Sequence, residues 1–471
     1  MNAPSAPQRG ALTGALLAIS LLAQGLTAGC QSPAPEFPLR TADGKLPNVL
    51  LITVDSLRPD HLGAYGFPVP TSPSIDRLAA GGVRLTQAIA TAPDTAPAIA
   101  SLLTGLYQYR SKVLFSNGSL PADITTLAER MGAVGYRTAG FVGTNVLSTT
   151  RGFGRGFDHF KTFGGGSARH ALDADGADRA IAWLDRNTTR PWFLWVHFVA
   201  PHGPYTSADE SWSTSYEYPP YMFGRDAPLI VGPSDFGLGV LPKYQQIDGL
   251  TRPSDYIRRY DGEIRYTDAQ VGRLRAAIEA AGDTDTTLTV LTADHGESLT
   301  EHREVFQHGW FLYDSTLRVP LVFAWPGVLP EGRVVPRQVS GVDLVPTLAE
   351  LIGLPDADPP LDGMSFATHL LVDDDTPAHA VFAIGARANH PVAMRWAEWK
   401  MVHVTAGRPP VPLGLVPPKK LDTPERFELY DLNEDPGEVQ NIAHQRSTIR
   451  ESMQRVVKGF RRSFRRRHAA P

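Results

Sequence analysis

Four apolar runs punctuate this chain with little or no alternation of polar and apolar positions: Val49–Val54 (VLLITV), Pro191–Val199 (PWFLWVHFV), Thr287–Thr292 (TLTVLT) and Val319–Trp325 (VPLVFAW). A strand with one face in water alternates, so runs of this kind belong to strands covered on both faces, as in a parallel sheet. Helical spacing lies between them, at Ile124–Gly135, Ala177–Arg186 and Asp268–Ala281. Strands alternating with helices predict a doubly wound α/β domain over most of residues 48–370, with a mainly parallel central sheet flanked by helices. Ligands of such sheets gather at the carboxyl ends of the strands. Asp55, His202, Asp294 and His295 all fall at, or just past, such an end.

The charge balance, 45 Lys+Arg against 49 Asp+Glu for a net −4, supplies no field that would draw nucleic acid. Hydrophobic residues at 42% and charged residues at 20% are those of a folded globular chain. Cys30 is the single cysteine, which rules out an intramolecular disulfide. Its setting is informative. Arg9 is followed by an uncharged stretch over residues 10–29, and Thr27-Ala28-Gly29 lead into the cysteine. This resembles a bacterial lipobox, which implies a signal peptide over residues 1–30 and a lipid on Cys30. The mature protein would then be held at the membrane of a bacterial cell envelope, on its periplasmic or extracellular face. A signal cleaved without lipidation and an uncleaved anchor are the alternatives. The Pro-rich stretch 31–47 reads as an extended tether.

Residues 206–255, rich in Ser, Tyr, Pro and Gly, read as a long substrate-facing insertion within the main domain, 48–375. Short segments from about residue 380 onward, ending in Phe427–Leu432, predict a small antiparallel sheet in a C-terminal subdomain, 376–471. The tail Arg455–His468 carries one Lys and six Arg around Phe460 and Phe464. It reads as a solvated, frayed helix, with a membrane-surface role as the alternative.

The segment Thr292–Glu297 (TADHGE) places a carboxylate and an imidazole side by side at a strand end, where both can reach one divalent ion. Asp55 can play the same part or simply cap the following turn. His197, inside an apolar run, reads as structural, and Glu297 and His302 as supporting or solvated groups. Thr95, two residues before Pro97, suits a helix N-cap as well as a nucleophile at a helix N-terminus. His202, between Pro201 and Pro204, is either a loop histidine or a functional one.

Five blocks together carry a resemblance: LITVDSLRPDHLGAYG (51–66), TAPAIASLLTG (95–105), VHFVAPHGPY (196–205), the Asp294 block and LYDLNEDPGEVQN (429–441). In this order they resemble the sulfatase branch of the alkaline-phosphatase superfamily, across nearly all of the chain beyond the tether. The resemblance implies an alkaline-phosphatase-like α/β sandwich and a metal-dependent hydrolase of sulfuric esters working through a covalent intermediate at position 95. It implies Asp55, Asp294 and His295 as metal ligands and Thr95 as nucleophile. His202 and His308 would contact the sulfate and leaving-group oxygens, and Asn145 would donate to the oxyanion. One divalent ion follows: Ca2+ by family habit, Zn2+ or Mn2+ from the imidazole ligand and the threonine. The substrate would be an ester of a small molecule, glycan or lipid.

The departures also matter. The position after Asp55, a second Asp in many sulfatases, is Ser56; the usual Arg four residues past the nucleophile is Ile99; and a Lys-x-His block is replaced around Thr144-Asn145. Thr95 carries a methyl on Cβ, so oxidation would yield a ketone and not the aldehyde that sulfatases make from Cys or Ser. Two further readings therefore stand beside the first. One is a phosphodiesterase, phosphonate monoesterase or phospho-transferase using a metal-activated Thr95. The other is an inactive member serving as a binding lipoprotein.

Overall fold

The computed structural model describes residues 35–164, 169–186, 191–206, 210–214, 216–219, 226–232, 239–357, 359–373, 376, 378–386, 390–405 and 425–468. Cys30, the leader and parts of the 206–255 insertion lie outside the described residues.

An eight-stranded sheet forms the centre, built from β1 (Asn48–Val54), β2 (Val83–Ile89), β3 (Arg137–Val142), β4 (His159–Thr162), β5 (Trp192–Phe198), β6 (Thr287–Ala293), β7 (Arg318–Ala324) and β8 (Arg333–Ser340). Their order is β4-β3-β5-β1-β6-β7-β2-β8. Only β7 runs against its neighbours: it is antiparallel to β6 and β2, and every other pairing is parallel. The sheet is thus mainly parallel, as its apolar runs imply. Every residue of β1, β5 and β6 is buried, because helices cover both faces. Each of Leu50, Leu51 and Ile52, fully buried, contributes about 1.5–3 kcal/mol by leaving water. Trp195 packs on Phe157 at a ring distance of 5.9 Å, and Phe160 crosses over Gly140 of β3. A Cβ on Gly140 would lie 2.6 Å from that ring, so the close approach requires glycine.

The longer helices are α1 (Pro73–Ala80), α2 (Thr95–Thr104), α3 (Leu127–Ala133), α4 (Arg169–Leu184), α5 (Pro253–Ala280), α6 (Leu344–Ile352) and α7 (Ser447–His468). Helix α3 opens with a reciprocal capping box between Thr126 and Glu129. Helices α4 and α5 start earlier than the apolar spacing indicates. Their first halves bury Asp173, Tyr256, Tyr260, Asp261 and Glu263, which do not register as an apolar stripe.

The C-terminal subdomain holds β9 (Val381–Ile384), β10 (Val392–Trp396), β11 (Trp399–Val404) and β12 (Arg426–Asp431) in a separate antiparallel sheet of order β12-β11-β10-β9. Lys400, 1% exposed, ties this sheet to the main domain by pairing with Asp314 at 2.7 Å and Glu438 at 2.8 Å. Two expectations need correction. The tether is not free to residue 47: the Leu39 amide donates to Leu351 O at 2.7 Å, Arg40 reaches Ile352 O, and Leu46 joins the core. The tail is not simply a solvated helix either. Met453 and Val457 are buried, and Phe460 stacks on Phe382 at 4.1 Å, edge-on to Tyr107 and Tyr109. The Phe464 side chain lies outside the described residues.

Candidate metal centre and catalytic pocket

The register of the central strands builds the site. Val54 of β1 lies opposite Phe198 of β5 and Ala293 of β6, so the chain leaves the sheet as Asp55 and Asp294 on adjacent strands. The Asp55 amide still donates to Phe198 O at 2.9 Å, which holds the carboxylate at the rim. Ser56 then turns with φ at 61°, a conformation that costs a non-glycine residue about 1–3 kcal/mol. Hydrogen bonds offset that cost. The Ser56 amide donates to Asp294 Oδ1 at 3.2 Å and its hydroxyl to Asp55 Oδ1 at 3.0 Å, while Tyr260 donates to Ser56 O at 2.7 Å. A strained serine thus aligns both carboxylates.

His295 completes the group. Its Nδ1 lies 2.8 Å from Gly296 O, and a carbonyl can only accept, so a proton sits on Nδ1 and Nε2 is the nitrogen turned inward. That Nε2 is 3.6 Å from Asp55 Oδ1 and 3.6 Å from Asp294 Oδ2. The ligand atoms of the three buried residues lie within 4.8 Å of one another, the one such cluster among the described residues. Asp294 Oδ2 is buried with no hydrogen-bond partner. Three acceptors that converge out of water repel one another unless a positive charge lies between them. The proton affinities report the same conflict: burial, then Asp294, pushes Asp55 well above the usual carboxylate range, and burial lifts Asp294 to about 7. Two carboxylates and one imidazole around an orphaned oxygen fit a divalent cation. Gly296 makes room, since a Cβ there would come 2.3 Å from Ser315 O.

Thr95 is the first residue of α2, not its cap. The cap is Asp94, with extended φ −157° and ψ 137°; its carboxylate makes no bond to the helix and accepts the Ser116 hydroxyl instead. Thr95 Oγ1 stands 3.4 Å from His295 Nε2, facing the cluster and 6% exposed. It sits at the positive end of a ten-residue helix.

A row of imidazoles extends from His295. His308 lies 4.2 Å from it between ring centres, and His202 lies 5.1 Å beyond His308. His308 Nδ1 is 3.1 Å from Glu297 Oε1, and Tyr205 donates to the other Glu297 oxygen at 3.1 Å. Glu297 is therefore not solvated; burial lifts its carboxyl to about 8. His202 Nδ1 is 2.7 Å from Gly203 O, which again puts the proton on Nδ1. Burial lowers His202 far below its ordinary value, with His308 adding to the effect, and brings His308 to about 3, with His295 adding. Asp173 of α4 holds the His202 loop, accepting the Val199 amide at 2.6 Å and the Ala200 amide at 3.1 Å.

The structure thus brings Asp55, Thr95, Asp294, His295, His202 and His308 together. Asn145 is exposed in the turn after β3, against Gly164. His197 is buried and bonded to Thr53 Oγ1 at 2.8 Å, as its place in β5 implies. Ser56, Asp94, Arg169 and Asp173 carry no local signal in the sequence; Glu297, inside the Asp294 block, does.

A family model described as Sulfatase matches residues 47–354. The chain is 28% identical over 444 residues to choline-sulfatase of Rhizobium meliloti (strain 1021), covering 84% of this chain and 82% of that protein. It is 27% identical over 457 residues to human arylsulfatase D, covering 78% of this chain and 76% of that protein. Among solved structures it is similar to the phosphonate monoester hydrolase of Agrobacterium radiobacter, with a TM-score of 0.71, 25% identity, and coverage of 89% of this chain and 96% of that one. With the family match spanning more than half of its length, the chain belongs to the sulfatase family.

Proposed function

We propose that the protein hydrolyses sulfuric esters with Thr95 as the nucleophile, next to one divalent cation held by Asp55, Asp294 and His295. The observation that carries this reading is the 3.4 Å approach of Thr95 Oγ1 to His295 Nε2, at the rim of a buried acceptor cluster. A bound divalent cation supplies the charge that lowers the pKa of the threonine hydroxyl and offsets the negative charge of the transferred group. The imidazole ligand favours Zn2+ or Mn2+ over Ca2+.

The residues divide the remaining work. Thr95 Oγ, its proton given up to water, forms a bond to sulfur as the bond from sulfur to the ester oxygen breaks, and the electron pair leaves with that oxygen. The anionic substrate raises the proton affinity of the neighbouring imidazoles, so His202 or His308 enters protonated and hands its Nε2 proton to the leaving oxygen. The same imidazole, now neutral, takes a proton from water as the water attacks sulfur; the bond from sulfur to Thr95 Oγ breaks, sulfate leaves, and the threonine oxygen takes back a proton from solvent. Glu297, bonded to His308 Nδ1, holds that ring in place.

A second reading is transfer of a phosphoryl or phosphonyl group by the same residues. The methyl on Cβ of Thr95 favours it, because a threonine ester must be cleaved by water at the central atom, a step phosphorus chemistry shares. The likeness to a phosphonate monoester hydrolase points the same way.

The test is the Thr95→Ala variant, assayed beside the parent on an aryl sulfate and a bis-aryl phosphate after EDTA treatment and return of Zn2+, Mn2+ or Ca2+. Turnover should fall about 10³-fold or more with an unchanged circular dichroism spectrum. Undiminished turnover would refute the role of Thr95, and the better parent substrate decides between sulfur and phosphorus.

A further inference from the structure

We propose that Arg169 binds the anionic group of the substrate, supplying the fixed positive charge that the imidazole row lacks. Arg169 opens α4, one turn ahead of the Asp173 that grips the His202 loop. Its Nε and Nη2 both point at Gly203 O, each at 3.4 Å, and the same carbonyl takes the Nδ1 proton of His202. The guanidinium therefore stands one carbonyl away from His202, next in line after His295, His308 and His202.

The contacts around this side chain are weak for an arginine. Two long bonds to one carbonyl engage it, and among the described residues no carboxylate stands within ion-pairing distance. Arg169 is only half-buried. A half-buried guanidinium held by two long bonds to one carbonyl, with no ion pair among the described residues, is suited to a planar, two-point grip on an oxyanion.

The charge balance of the pocket calls for such a group. Asp94, Asp55, Asp294 and Glu297 surround the reaction centre, and the row beside them is made of the imidazoles of His295, His308 and His202. A sulfuryl or phosphoryl group brings two or three non-bridging oxygens, which call for a fixed positive charge beside the one cation and the imidazole row. Arg169 offers the remaining donor edge. The ligand class is thus a tetrahedral oxyanion, either the transferred group or its released inorganic form. Only the identity of this ligand rests on the hydrolase reading.

The experiment is calorimetric titration of inorganic sulfate and inorganic phosphate into the full-length, Mn2+-loaded chain and its Arg169→Ala, Arg169→Gln and Arg169→Lys variants. Losing a charged donor should weaken oxyanion affinity about 10- to 100-fold in R169A and R169Q, with R169K between these and the parent. Millimolar guanidinium ion should restore part of the affinity to R169A. Arg169→Gln keeps an amide donor for Gly203 O, so parental affinity in R169Q would mean that the residue only props that carbonyl, overturning the proposal. Parental affinity in a folded R169A overturns it as well. A parent chain that turns over esters while R169A matches it in kcat and KM removes this inference and leaves the hydrolase reading intact. A parent chain inactive with every metal removes that reading, whereas Arg169-dependent oxyanion binding is still decided by the titration.

Discussion

Replacing Glu263 by glutamine should leave stability nearly unchanged at pH 5 and raise it at pH 9. Glu263 sits in the first half of α5 with no exposure to solvent, and neither carboxylate oxygen has a hydrogen-bond partner. Burial, and then Asp173, raise its carboxyl from 4.5 to about 8; Arg259, Arg169 and the nearby Thr206 amide act in the opposite direction. Between those two values the folded chain keeps a proton that the unfolded chain has released. Stability from this group is therefore whole below about pH 4.5, falls as the pH rises, and levels off above about 8. A shift of roughly 3.5 units at about 1.4 kcal/mol each sets a ceiling of roughly 5 kcal/mol; local relaxation and water entry reduce this to about 2–3 kcal/mol. Glutamine has nearly the same shape and no charge to bury. Urea unfolding of the EDTA-treated proteins at pH 5, 7 and 9 should show E263Q within about 1 kcal/mol of the parent at pH 5 and about 2–3 kcal/mol more stable at pH 9. Asp173, itself raised to about 8, leaves a residual slope in both proteins. A difference between the two proteins that stays constant from pH 5 to pH 9 would show that Glu263 does not titrate in this window and refute the reasoning.

Two further outcomes follow from other buried charges. Lys400→Ala strands Glu438 out of water, while Asp314 keeps Arg395 at 2.7 Å, so it should cost about 3 kcal/mol in urea unfolding, and adding Glu438→Gln should recover part of that loss. No change in K400A would mean the pair is hydrated in solution. For the acceptor cluster, returning Zn2+ or Mn2+ to the EDTA-treated chain should stabilise it by about 2.7 kcal/mol at a hundredfold excess over Kd, an effect Asp294→Asn should abolish. Equal metal-induced shifts in parent and variant would place the ion elsewhere.

How much of this was legible beforehand depends on what each element hides from water. Strands β1, β5, β6 and β7 fall within a residue or two of their apolar runs, because full burial on both faces leaves only apolar side chains to read. Strands β2 and β8 send no such signal. β2 is only partly buried, and β8, the edge strand, alternates and carries Pro336. The antiparallel direction of β7 was equally hidden, since a run buried on both faces looks the same either way. Helix α5 shows the same limit from the other side: its buried tyrosines and acids serve the site, so the half of the helix nearest the pocket is the half that lacks an apolar stripe.

The candidate site divides along the same line. Asp55 and Asp294 are recognisable because each ends a buried strand, and parallel pairing then forces them together with no further information. Asp173 and Arg169 act through atoms far away in the chain, and Ser56 through Asp294 as well as its neighbour Asp55, and nothing near them in sequence announces that. Function here thus has two layers. One is fixed by where parallel strands must end. The other is fixed by what the intervening helices lend to those ends, and Arg169 belongs to the second. If the positive charge on α4 is what makes the pocket accept an oxyanion, anion affinity should follow the residue at position 169 and be indifferent to the residue at position 99. Ile99 is a fully buried apolar residue of α2, so its side chain has no donor to offer a bound anion.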